Sequence, residues 1–72
     1  MYLLDLKDGE SKKVVSINAE YAMKKRLIDM GITRGTVLTK VKTAPLGDPI
    51  EIKLRGYDLT LRKDEAAKIV ME

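Results

Sequence analysis

The sequence predicts a mainly β domain, a small SH3-like barrel of about five strands with one inserted α-helix at about residues 20–30 and a short helical turn near 64–67. Several short segments alternate apolar and polar residues, only one segment is helical over several turns, and the chain has 72 residues. Such a chain buries only about 60% of its unfolded surface. A barrel buries one face of every strand and protects most strand edges, so we expect residues 1–72 to form a single barrel domain.

The first strand is predicted at Lys12–Asn18 because this segment is rich in β-branched residues. An apolar stretch, Tyr2–Leu6, and a turn at Asp8-Gly9 precede it. The helix should then cover about Glu20 to Met30, which contains neither proline nor glycine.

The ends and the buried stripe of this helix are also predicted from its sequence. Asn18 is a suitable N-terminal cap, and Gly31 a suitable left-handed stop. At about 100° per residue, Met23, Leu27 and Met30 fall on one face, which we expect to pack on the core.

Four further segments complete the barrel. Thr36–Thr43 predicts a strand with Val37 facing inward and Lys40 facing outward, and Lys68–Met71 predicts a short last strand. Between them, two alternating segments flank a tight hairpin in which Gly56 takes a positive φ and the apolar residues face inward: Ile50, Ile52, Leu54, Tyr57, Leu59 and Leu61. Asp64–Ala67 predicts one helical turn.

The composition argues against an enzyme and against a metal protein. There is no Cys and no His, so no catalytic residue, no metal ligand and no cofactor-binding residue is predicted. The carboxylates of Asp5–Glu10 lack the spacing of a calcium loop, and the four methionines are placed for core packing. No apolar run is long enough for a signal sequence or a membrane span, so we expect a cytoplasmic protein without direct membrane insertion.

The net charge of +3 is compatible with an anionic partner without requiring one. Five basic residues are predicted to point outward from the strands: Lys40, Lys42, Lys53, Arg55 and Arg62. Acidic residues interrupt them, and there is no Phe or Trp on which a base could stack. The pattern therefore favours a solvated charged face, with a small basic barrel that binds nucleic acid or the ribosome as the alternative.

Two surfaces are candidates for binding a partner protein. Tyr21 and Ile28 lie nearly opposite the core stripe of the helix, beside Lys24 and Lys25. Two apolar residues at this position are explained either by a docking face or by the segment Tyr2–Leu6 folding over them. Both a docking face and free strand edges would also permit a homo-oligomer.

The second candidate surface is the segment Ala44–Pro49, which holds two prolines and one glycine. It is explained either by a rigid hairpin loop that fixes strand register or by a preformed surface that presents Leu46 to a partner.

The order of several motifs resembles the ferrous iron transport protein A (FeoA) family. The resemblance extends from about Leu6 to Val70 and rests on the segments Arg26–Ile32, Gly35-Thr36, Ala44–Ile50, Leu54–Gly56 and Leu59–Arg62, with Glu65-Ala66 and Ile69. Small departures are Asn18-Ala19 before the helix, Arg34 where the family usually has proline, and Thr60 where alanine is common.

The resemblance implies a stand-alone, cytosolic SH3-like domain that is encoded beside a membrane ferrous iron transporter with a cytosolic G-protein domain. It further implies an accessory protein that binds the cytosolic part of this transporter and supports iron uptake. A chain without His or Cys should work by contact rather than by carrying Fe²⁺. We therefore expect the partner to contact Tyr21, Lys24, Lys25, Ile28 and Leu46.

Overall fold

A computed structural model describes all 72 residues. It contains five strands and two α-helices, preceded by a short 3-10 turn at Leu3–Asp5 (the N-terminal turn). In chain order the elements are β1 (Ser11–Ile17), α1 (Tyr21–Asp29), β2 (Val37–Thr43), β3 (Ile50–Leu54), β4 (Tyr57–Leu61), α2 (Lys63–Ala66) and β5 (Ile69–Met71). The predicted elements are confirmed, with bounds that differ by at most one residue at each end.

The five strands form one antiparallel sheet in the order β4-β3-β2-β1-β5. β3 and β4 are joined by the two-residue turn Arg55-Gly56, in which both residues have positive φ. Such a turn matches the right-handed twist of the strands that it connects. The ladder ends at β4 and β5, which do not pair with each other, and the N-terminal turn packs against both β5 and α2.

The core brings together the sheet, both α-helices and the N-terminal turn. It consists of fourteen buried apolar residues, and every strand contributes at least one of them. Leu27 is the residue that α1 contributes, while Met23 and Met30 pack at its margin. The predicted core stripe of the helix is thus confirmed, with Leu27 at its centre.

The two ends of the described chain lie side by side at the edge of the sheet. Met71 N–H donates to the Met1 carbonyl oxygen at 2.6 Å, and Tyr2 forms a single antiparallel bridge with Val70. Residues 1 and 72 therefore both lie beside or at the end of strand β5.

The predicted facing of β2 is wrong. Val37 is exposed, whereas Lys40 is buried with only 7% of its surface accessible. The register of the β2–β3 ladder shifts between Lys40 and Lys42, which indicates a bulge. Lys40 Nζ donates to the carbonyl oxygens of Leu6 at 2.8 Å and Leu4 at 3.2 Å. The charge is thereby satisfied inside the domain, and it holds the N-terminal segment against β2.

Two further predictions are corrected. The N-terminal cap of α1 is Glu20 rather than Asn18, because the Glu20 carboxylate accepts from the backbone N–H groups of Ala22 and Met23. Tyr57 is exposed rather than inward, because its hydroxyl donates to the Met30 carbonyl oxygen at 3.1 Å at the end of α1. Gly31 ends the helix at a φ of +97°, as predicted.

Candidate partner-binding surface

The outer face of α1 is accessible to solvent. Tyr21 is 79% exposed and Ile28 42% exposed, while Leu27 between them is fully buried. The N-terminal segment lies against β5 and α2 and does not fold over the helix. The alternative in which Tyr2–Leu6 buries Tyr21 and Ile28 is therefore wrong.

Four of the predicted residues come together on this face. Tyr21, Lys24, Lys25 and Ile28 line a shallow groove of about 330 Å³, which we call the helix groove. Their spacing of three and four residues places them on adjacent turns, so they share one side of α1. The structure thus brings together the helical part of the predicted site.

A second groove, of about 250 Å³, lies between α1 and β1, and we call it the sheet groove. Its apolar floor comes from Val14, Ile17 and Ile32, which belong to the core. The residues at its more accessible rim are Val15, Ser16, Lys24, Ile28, Thr33 and Arg34. Lys24 and Ile28 line both grooves. The two grooves therefore adjoin at these residues and form one continuous surface.

The carboxylates of α1 are engaged locally. Glu20 caps the helix, and Asp29 forms an exposed ion pair with Lys25 at 3.5 Å. Neither Lys24 nor Arg34 has a salt-bridge partner. The continuous surface therefore carries apolar side chains together with two unpaired positive charges.

Leu46 lies elsewhere. It is 95% exposed at the tip of the loop that joins β2 to β3. This loop follows the C-terminal end of β2, whereas α1 precedes the N-terminal end of β2. Gly47 N–H donates to the Ala44 carbonyl oxygen at 2.7 Å, and Ala44 N–H to that of Pro49 at 3.0 Å. The loop is thus held by its own hydrogen bonds, and Leu46 lines neither groove.

The predicted basic face is interrupted more than the sequence suggested. Lys40 is withdrawn from it by burial, while Lys42 and Lys53 pair across strands with Glu51 at 4.0 Å and Asp58 at 3.9 Å. Paired and buried cations do not form a track for phosphates. Three of the five predicted outward cations are therefore buried or paired, while Arg55 and Arg62 remain exposed without a salt bridge.

No group of three or more His, Cys, Asp and Glu side chains comes together in the chain. Neither helix has the length and apolar character needed to cross a membrane.

Sequence reasoning missed the part of the surface that β1 and the α1–β2 connection provide, namely Val15, Thr33 and Arg34. Their proximity to α1 depends on how the helix packs on the sheet, which no local pattern encodes. The one available signal was the basic residue Arg34 in the α1–β2 connection.

Comparisons with known proteins find a matching family model and several similar proteins. A family model described as FeoA domain matches residues 1–72. A Porphyromonas gingivalis protein, described as a fusion of Fe(2+) transport protein A and Fe(2+) transporter FeoB, is 35% identical over 72 residues. The match covers 100% of this chain and 8% of the fusion protein, so the chain spans only a small part of that relative.

Two solved structures have the same fold. The FeoA protein from Chlorobium tepidum has a TM-score of 0.91 at 45% identity, covering 99% of this chain and 68% of that chain. FeoA from Stenotrophomonas maltophilia, solved with zinc and described as a prokaryotic SH3 domain protein, has a TM-score of 0.87 at 26% identity, covering 100% and 89% of the two chains. The predicted SH3-like fold is therefore confirmed.

Proposed function

The chain belongs to the FeoA domain family, and we propose that it is an accessory protein of ferrous iron uptake that binds the cytosolic part of a membrane ferrous iron transporter. The family is associated with ferrous iron transport. We further propose that this transporter has a cytosolic G domain and that the chain is located in the cytoplasm. Residues 1–72 would act as one unit, through contact with the partner.

The observation that carries this proposal is the fusion protein from Porphyromonas gingivalis. In that polypeptide a segment similar to this whole chain is covalently joined to a transporter named FeoB. A covalent link raises the effective concentration of one part near the other, which is useful when the two parts act together. A chain of the same family that is not joined to a transporter would reach that proximity by binding one.

The free outer face of α1 supports such binding. Tyr21 is 79% exposed and Ile28 is 42% exposed, and exposed tyrosines are among the residues that supply much of the binding energy at protein interfaces. Lys24 and Lys25 lie beside them. We assign these four residues to the interface, with Leu46 as a separate contact.

A contact role needs no reaction chemistry from the chain. The sequence has no Cys and no His, the residues that most often serve as nucleophiles, bases and soft-metal ligands. We therefore propose a protein that is not an enzyme and holds no cofactor.

The test is a binding measurement between the full chain and the purified cytosolic part of the ferrous iron transporter from the same genome. The double variant Tyr21→Ser/Ile28→Ser should lose at least about 1–2 kcal/mol of binding free energy. Its unfolding midpoint should fall by only a few degrees, because Tyr21 is largely exposed and Ile28 is only partly buried. Tyr2→Ser is the matched control, since Tyr2 is also an exposed tyrosine but lies at the β5 edge. Unchanged affinity of the double variant would remove α1 from the proposed interface.

Leu46→Ser, measured alone, tests the loop independently of the helix. Sedimentation of the unmutated chain by itself tests self-association. If the chain forms a dimer that Tyr21→Ser/Ile28→Ser dissociates, and the transporter part binds that variant normally, the outer face of α1 joins two copies instead.

A further inference from the structure

The helix groove and the sheet groove meet at Ile28 and Lys24, and together they present one apolar surface with a positive margin. Val15 extends the apolar area from the helix onto β1, and Arg34 adds a cation to the lining of the sheet groove. The surface is therefore wider than the four helical residues that the sequence indicated.

The charge at this surface is not balanced from within the chain. Lys24 and Arg34 are exposed and form no salt bridge. The nearby acids are engaged, since Glu20 caps α1 and Asp29 pairs with Lys25. A partner that supplies carboxylates to Lys24 and Arg34 would complete pairs that the free chain leaves open.

From this charge complementarity we infer that the combined surface receives an acidic amphipathic segment of the partner protein. The inference rests on the proposed function and specifies the chemistry of its partner. Apolar side chains of the segment would cover Ile28 and Val15, and its Asp or Glu side chains would face Lys24 and Arg34. Two flanking cations around an apolar floor suit a protein segment better than a nucleic acid, which binds a dense track of cations with several stacking platforms.

The first test uses a labelled model peptide of about 16 residues in which Leu and Glu recur at helical spacing. Amide chemical shifts of the full chain, followed by NMR during titration, should change around both grooves, at Val15, Lys24, Ile28 and Arg34. A second peptide with Lys in place of each Glu should bind at least ten-fold more weakly. Equal binding of the two peptides, or shifts confined to other parts of the chain, would overturn the inference.

Charge reversal provides the second test. Lys24→Glu/Arg34→Glu should weaken binding of the acidic peptide at least ten-fold and remove most of its salt dependence between about 50 and 500 mM. The control Lys7→Glu/Lys63→Glu changes the net charge equally, from +3 to −1, because each reversal subtracts two charges. Both control residues are exposed and lie outside the two grooves, so this variant should bind nearly as the unmutated chain does.

The cytosolic part of the transporter separates this inference from the proposed function. If Tyr21→Ser/Ile28→Ser weakens its binding while Lys24→Glu/Arg34→Glu and added salt do not, the docking face stands and the acidic partner chemistry is wrong. If neither variant affects its binding, the docking face itself is wrong. Binding to equimolar phosphatidylglycerol–phosphatidylcholine vesicles that exceeds binding to the acidic peptide would assign the surface to lipid instead.

Discussion

Replacing Lys40 by methionine is expected to lower the free energy of unfolding by about 2 kcal/mol. The side chain is buried, and its ammonium group donates to the carbonyl oxygens of Leu4 and Leu6. Methionine keeps a similar length and volume but cannot donate, so both carbonyl oxygens lose their partner.

The magnitude follows from two opposing effects. A hydrogen bond to a charged group contributes about 1.5–3 kcal/mol, so the two bonds together contribute about 3–6 kcal/mol. Removal of a buried ammonium also relieves its desolvation, which offsets a part of that amount. A domain of this size has a total stability of only about 4–11 kcal/mol, and the expected loss should lower the thermal midpoint by about 8–16 °C.

The assay is urea unfolding followed by circular dichroism, with Lys42→Met as the matched control. Lys42 lies two residues further along β2, with its ammonium group in solvent, and its replacement should change stability by less than about 0.5 kcal/mol. Hydrogen exchange adds a local measurement, because the Asp5 and Leu6 amides close the N-terminal turn. They should exchange faster in Lys40→Met. If Lys40→Met were as stable as the unmutated chain, the two bonds would contribute nothing net, and the reasoning would be refuted.

Two backbone features give further predictions. Gly31→Ala should destabilise the domain by about 1–3 kcal/mol, and by more than Gly35→Ala. Both glycines have positive φ, but only at Gly31 would the added Cβ meet another group, the Tyr57 hydroxyl at 3.2 Å. Denaturant titration of the two variants measures the difference, and equal losses would mean that the Tyr57 contact costs nothing. Glu20→Ala should cost about 0.5–2 kcal/mol by removing the helix cap, whereas Asn18→Ala should be nearly neutral. The reverse order in thermal unfolding would restore Asn18 as the cap.

Local patterns predicted the elements of this fold well because their causes are local. Alternation within β3 and the positive φ of Gly31 and Gly56 depend on residues close in the chain, and these predictions are confirmed. Alternation within β4 located the strand but gave the wrong facing for Tyr57, whose hydroxyl donates to the Met30 carbonyl oxygen at the end of α1. The facing of β2 failed because Leu38 and Lys40, rather than Val37, face the interior. There Lys40 donates to carbonyl oxygens of a segment more than thirty residues away.

The candidate surface divides in the same way. Helical periodicity alone places Tyr21, Lys24 and Ile28 on one side of α1, and the structure brings them into one groove. Val15 and Arg34 join that surface only because α1 packs beside β1, a tertiary relation that helical periodicity cannot reveal.

The pairing of Met1 with Met71 has a consequence for how this module can be attached to other proteins. A tether joined before residue 1 or after residue 72 would start from the same edge of the sheet. A protein fused at either end would therefore be attached at nearly the same place on the module, beside β5. A circular permutant that links the two ends by a short loop and opens the chain at the Asp8-Gly9 turn should for the same reason retain the fold.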